Sequence, residues 1–129
     1  MLSTDEKNWA MAAHLATLLA SYLTGGYLQF LVPLVILLVK GDESSFIGHH
    51  ARQSLNFQLT LFLGWVVYSV VMLLSFLTII GIPFGFGMVC LGGAVFFLLE
   101  TGFCIYAAMQ ANAGEPAGYP AIPFLSDPR

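Results

Sequence analysis

Residues 55–78 read LNFQLTLFLGWVVYSVVMLLSFLT, a stretch without one Asp, Glu, Lys or Arg. As a helix rising about 1.5 Å per residue it is ~36 Å long, enough to cross a ~30 Å hydrocarbon core with some tilt. A soluble chain of 129 residues has no interior deep enough to hide it together with runs of the same kind on either side. The stretch therefore points to an all-α integral membrane protein.

Working outward, the chain divides into four apolar runs in a single membrane domain, residues 1–129. The spans are expected at about 9–23, 27–40, 54–78 and 88–111. Ser3 with Glu6 three residues later fits a capping box, so the first helix begins there. Thr24, Gly25 and Gly26 end it. The second run is short, about 20 Å of helix, with Lys40 able to snorkel at its end and Pro33 expected to kink it. A re-entrant hairpin over residues 9–39 is the other reading of these two runs. Gly41, Asp42, Glu43 and Ser44 form a loop, with Ser44 or Ser45 as a cap. A short interfacial helix through His49, His50 and Arg52 then feeds the third span. Gly81, Pro83, Gly85 and Gly87 mark a turn, and the Pro- and Gly-rich tail, 112–129, is expected to be extended.

Ten of the eleven charged side chains lie in three segments between these runs. Four spans place all three on one side, with both termini, and the positive-inside rule makes that side cytoplasmic and the membrane the cell's inner membrane. The start of the chain is acidic, unlike a signal peptide, so the first run is expected to stay as a helix. Only 9% of residues are charged, against about 25% in soluble domains, and the four Lys and Arg are scattered, which argues against nucleic acid as a partner. Cys90 and Cys104, on one helix and ~21 Å apart, cannot pair with each other.

Helical neighbours lie three or four residues apart. His49, Arg52, Gln53, Asn56 and Thr60 therefore form a polar stripe running from the charged surface into the bilayer, with His50, Ser54 and Phe57 on an adjacent face. Gln58 completes the interfacial polar set. Such groups avoid lipid, so the stripe faces other helices, a wet vestibule or a docking partner. Metal binding by His49 and His50 is not expected, because adjacent residues point about 100° apart on a helix and no Cys or carboxylate stands nearby at a ligand spacing.

The run His50-Ala51-Arg52-Gln53-Ser54-Leu55-Asn56-Phe57-Gln58 resembles the central signature of a bacterial family of small membrane proteins of unknown function. That family is distantly similar to the Tic-twenty component of the chloroplast inner-envelope protein-import translocon. The ending Ala111-Asn112-Ala113-Gly114-Glu115-Pro116, with Tyr119-Pro120 and Phe124, is similar too, as are His14 and the run from Pro33 to Lys40. The resemblance covers nearly the whole chain and implies four helices and a link to protein translocation or insertion. The family often carries Lys where Gln110 stands and a basic residue at Pro123, so the basic rim is weaker here.

Glu100 is the one charged residue inside a run. Placing a charge at mid-bilayer costs about 3 kcal/mol on insertion scales. Desolvation favours the neutral acid, which donates a hydrogen bond. Counted from the charged ends of their runs, Gln29 and Ser21 share its depth of ~16–18 Å, whereas His14 is only ~8 Å deep. Glu100 then ties helices together, forms an ion or proton site, or meets another subunit.

No Ser-His-Asp spacing, metal quartet, phosphate loop or paired membrane carboxylate appears, so the chain is not read as an enzyme and no cofactor is expected. The sequence points to an interaction subunit of a membrane complex, in contact with lipid and with other membrane proteins or itself. The alternative is an oligomeric permease for a small solute or ion that uses Glu100.

Overall fold

The computed structural model describes residues 1–128; Arg129, the last residue of the expected tail, lies outside them. Among the described residues all regular structure is helical: α1 Thr4–Thr24, α2 Leu31–Lys40, α3 Ser45–Phe76 and α4 Gly81–Ala113. The capping box forms as expected, with the Ser3 hydroxyl accepting from the Glu6 N–H and the Glu6 carboxylate from the Ser3 N–H. Gly25, at φ 67°, ends α1 in a left-handed conformation that a side chain disfavours.

Three expectations change. No separate interfacial helix precedes the third span: Ser44 caps a helix that runs unbroken to Phe76, and the polar stripe is its first part. Pro33 does not kink α2, because it is the third residue of a helix beginning at Leu31, where no intrahelical N–H bond is lost. Pro83 likewise opens α4, so the turn sits at Leu77, Thr78, Ile79 and Ile80 rather than at the Gly-rich stretch that follows.

Among the described residues two helices, α3 and α4, are long and apolar enough to cross a membrane, each with a window of mean hydropathy 2.1. The four expected spans are therefore corrected to two by this measure. α2 has ten residues, about 15 Å of helix, half of a hydrocarbon core. α1 is longer but opens with Asp5, Glu6 and Lys7 and turns His14, Thr17 and Ser21 inward.

α1 and α3 run in the same direction, α2 and α4 return, and α2 packs on α1 and α3 but not on α4. Small residues suit the close packing of α1 on its neighbours: Ala10, Ala107 and Ala111 are fully buried, as is Ala13, which packs with Ile36, Ile47 and Ala51. Among the described residues all charged side chains except Glu100 gather at one end, where the Lys40 ammonium lies 5.4 Å from the Trp9 ring centroid and bonds Glu43 at 2.8 Å. The turn between α1 and α2 ends level with Trp65 and Ser69: Gly26 lies beside Trp65, Phe96 and Phe97, and the Tyr27 hydroxyl meets Ser69 at 3.1 Å. Past that level only α3 and α4 continue, held by the Tyr68 hydroxyl donating to the Met88 carbonyl and by Phe76 packed edge-on against Phe86.

Candidate functional site

The polar stripe of α3 holds the C-terminal tail. Residues 115–128 are extended, turn at the level of Thr60 and run back toward the charged end. Along this path Thr60 accepts from the Ile122 N–H at 3.0 Å. Asn56 grips Leu125 twice, its amide donating to the carbonyl and its oxygen accepting from the N–H, both at 2.8 Å. Arg52 and His49 reach Asp127 at 3.4 and 2.6 Å. The Ala117 N–H donates to His49 Nε2 at 3.1 Å. The helical spacing of the stripe thus matches an extended strap, whose main-chain groups would otherwise lack partners at this depth. Gln53, though on the same stripe, makes no hydrogen bond among the described residues and stays half-buried.

His50 faces inward. Its Nε2 meets the Glu115 carbonyl at 2.9 Å, its Nδ1 meets His14 Nε2 at 2.9 Å, and His14 Nδ1 meets the Tyr119 hydroxyl at 2.6 Å. A carbonyl only accepts, so His50 carries its hydrogen on Nε2 and accepts at Nδ1. His14 must then donate from Nε2, and Tyr119 donates to its Nδ1. Burial pushes the Tyr119 hydroxyl up from its ordinary range, which keeps it a donor. His14 and His50 are fully buried, and Tyr119 stacks on Phe57 at 4.4 Å between centroids. All six ring nitrogens of the three histidines are engaged by protein groups, and among the described residues no three His, Cys, Asp or Glu are placed to hold a metal.

Deeper lies the carboxyl. Glu100 is fully buried, and its Oε2 accepts from the Ser21 hydroxyl at 2.5 Å. Gln58 stands beside it and donates to Cys104 Sγ at 3.6 Å, and Tyr119 reaches the same thiol. Polar side chains therefore line a continuous path from Glu115 at the charged end to Glu100. Glu100 Oε1, Gln58 Oε1 and both polar atoms of the Gln29 side chain are buried without a partner among the described residues. Of the two expected neighbours of Glu100, Ser21 touches it and Gln29 makes no bond to it. His14 belongs to the shallower histidine pair.

At the charged end a cavity of about 440 Å³ is lined by Gly41, Asp42, Ser45, His49, Arg52, Asp127 and Pro128. Tyr119, Cys104, Glu115 and Asp127 were not among the expected site residues. Tyr119 lay within the resemblance, but nothing local to it signals a histidine 105 residues earlier.

The model of a family described as the magnetosome magnetite crystal formation protein family matches residues 5–125. It carries no link to the chloroplast translocon component, and the translocation reading has no other support. Neither the curated proteins nor the solved structures contain a match to the chain.

Proposed function

We propose a role that starts from kinship: the chain belongs to the magnetosome magnetite crystal formation protein family, and it serves in a membrane as a non-catalytic subunit that offers a fixed polar face to other membrane proteins or to a second copy of itself. The observation that carries this reading is the strapped tail. Two apolar helices are enough to anchor a chain, yet this one commits five side chains of α3, from His49 to Thr60, to hold the tail in one place. A surface held so firmly is pre-organised, which lowers the ordering cost of association.

In this reading α3 and α4 cross the bilayer. α1 and α2 enter from the charged side and turn back at Gly25 and Gly26, and both termini are cytoplasmic by the positive-inside rule. The exposed rim combines the carboxylates of Asp42 and Asp127 with His49 and Arg52 around the cavity. Gln53 lies alongside with its side chain uncommitted. A photo-crosslinking residue at position 53 in native membranes tests the role; Asn56 is unsuitable because the tail occupies it. A second protein or a second copy of the chain should be captured, and capture of lipid alone overturns the proposal.

The unpartnered Oε1 of Glu100 favours a second reading, an oligomer that passes a small cation past this carboxyl. Liposomes holding the purified protein should then show a flux that Glu100→Gln removes. Absence of flux, or flux that survives the substitution, rules it out.

A further inference from the structure

The two ends of the molecule differ in width. At the level of His14, Ile36, Ser54 and Ala108 all four helices lie abreast, with the tail strapped on the outside. Past Tyr27 and Ser69 only α3 and α4 remain. α3 runs seven residues further to Phe76, about 10 Å, before its turn. A helix with its side chains is ~10–12 Å across, so the broad end has about twice the cross-section of the narrow end. The chemistry divides the same way. Among the described residues the broad end holds all the charge apart from Glu100. The narrow end is apolar, and Val70, Val71, Leu73, Leu74 and Leu77 are each more than half exposed, in reach of lipid tails.

We infer that the chain is a membrane wedge: it settles preferentially in bilayers curved so that the leaflet around its charged end is convex, and at sufficient density it stabilises that curvature. The inference rests on the two-crossing topology proposed above. The α1–α2 hairpin and the tail add area to one leaflet and almost none to the other. A bilayer with one expanded leaflet relaxes when that leaflet is on the outside of the curve, the same coupling that makes one-sided amphipathic helices curvature-sensitive. The two helices that stop short are also fixed rigidly to the two that cross: Ser54 donates to the Ala13 carbonyl at 2.6 Å, and Ser21 donates to Glu100. The wedge therefore cannot flatten by splaying α1 away without leaving buried polar groups unpaired.

The test uses the full chain, reconstituted sparsely into a mixture of small sonicated and large extruded phosphatidylcholine–phosphatidylglycerol vesicles carrying different dyes. Orientation is scored by protease removal of a tag on the tail. Molecules with the charged end outward should be several-fold denser per lipid on the small vesicles, and those facing inward should show the reverse. Equal density in both orientations overturns the wedge. A variant with α1 and α2 each lengthened by two apolar turns beside Gly25 and Gly26 should still insert but lose the preference; a preference that persists also overturns it. Topology is read separately in Leu28→Cys and Ile79→Cys, each in a Cys90→Ser background, with an impermeant maleimide. Ile79→Cys should label from the side opposite the tail and Leu28→Cys from neither. Far-side labelling of Leu28→Cys overturns the topology and the wedge with it, whereas protection with equal densities overturns the wedge alone.

Discussion

His14 and His50 are joined ring nitrogen to ring nitrogen, 2.9 Å apart and fully buried, and the polarity of that bond is set at a carbonyl on the far side of His50. Because the Glu115 carbonyl must accept, the hydrogens of both rings sit on Nε2. His49 is the opposite case, since its Nε2 accepts from the Ala117 N–H and its Nδ1 faces Asp127. Nitrogen NMR of histidine-labelled protein in detergent at neutral pH should therefore show two Nε2–H tautomers and one Nδ1–H. Any other distribution contradicts the network.

Removing His50 leaves two groups stranded, the His14 Nε2–H and the Glu115 carbonyl. An unpaired buried polar group costs roughly 1–3 kcal/mol. His50→Phe should lower stability in detergent unfolding by about 2–5 kcal/mol, the sum for two such groups less what the new ring recovers by packing. A loss below ~1 kcal/mol means that water or another side chain already serves both groups.

Asn56 is the two-point clamp on the tail. Asn56→Asp keeps the acceptor for the Leu125 N–H but sets a carboxylate oxygen against the Leu125 carbonyl, so it should release the tail about as fully as Asn56→Ala. Segment 122–128 should gain hydrogen exchange and protease sensitivity in both variants. Residues near Glu115 and Tyr119, held by the histidine pair, should stay protected. Protection of 122–128 that survives both substitutions means the strap is held by its apolar contacts alone.

The stripe that binds the tail is legible in the sequence because steps of three and four residues fix one helical face before any tertiary contact forms. Its occupant is not. Ile122 and Leu125 are bound through main-chain groups more than sixty residues away, and main-chain groups carry no sequence signal. Depth arithmetic finds the Ser21 partner of Glu100 because both residues sit on antiparallel helices with the same rise per residue. It gives no bond for Gln29, which lies in the turn of residues 25–30, where that rise does not apply, and whose buried side chain makes no hydrogen bond among the described residues. The crossing count misleads for a related reason: apolar composition marks contact with lipid or core, whereas the length of an individual helix decides whether it crosses.

Ser21 and Glu100 should be coupled. Ser21→Ala removes the donor to Oε2, and Glu100→Ala removes the acceptor, so each single variant strands the other group. In a double-mutant cycle the two losses should fall short of additivity by about 0.5–2 kcal/mol, the range for polar pairs between membrane helices. Strict additivity means that the bond contributes nothing and that Glu100 is satisfied through its other oxygen.

At the charged end, outside the membrane, Glu6 ties α1 to the start of α3. Its carboxylate accepts from the Ser44 hydroxyl at 2.6 Å, which, together with the Ser3 N–H, holds it below the ordinary carboxylate value. A depressed folded-state value means that the tie contributes fully above the ordinary value and fades as pH falls through the lower, folded one. Acidification should therefore first loosen the opening turn of α1 against Ser44, seen as a fall in the protection factors of the Glu6 and Lys7 amides, taken against the intrinsic exchange rate at each pH. Ser44→Ala removes the largest cause of the shift, so the Glu6 carboxyl, followed by carbon NMR, should titrate closer to its ordinary range. Glu6→Gln should abolish the pH dependence of the protection factor at Lys7. An unchanged Glu6 titration in Ser44→Ala places the cause at Ser3 alone and removes the inter-helix tie.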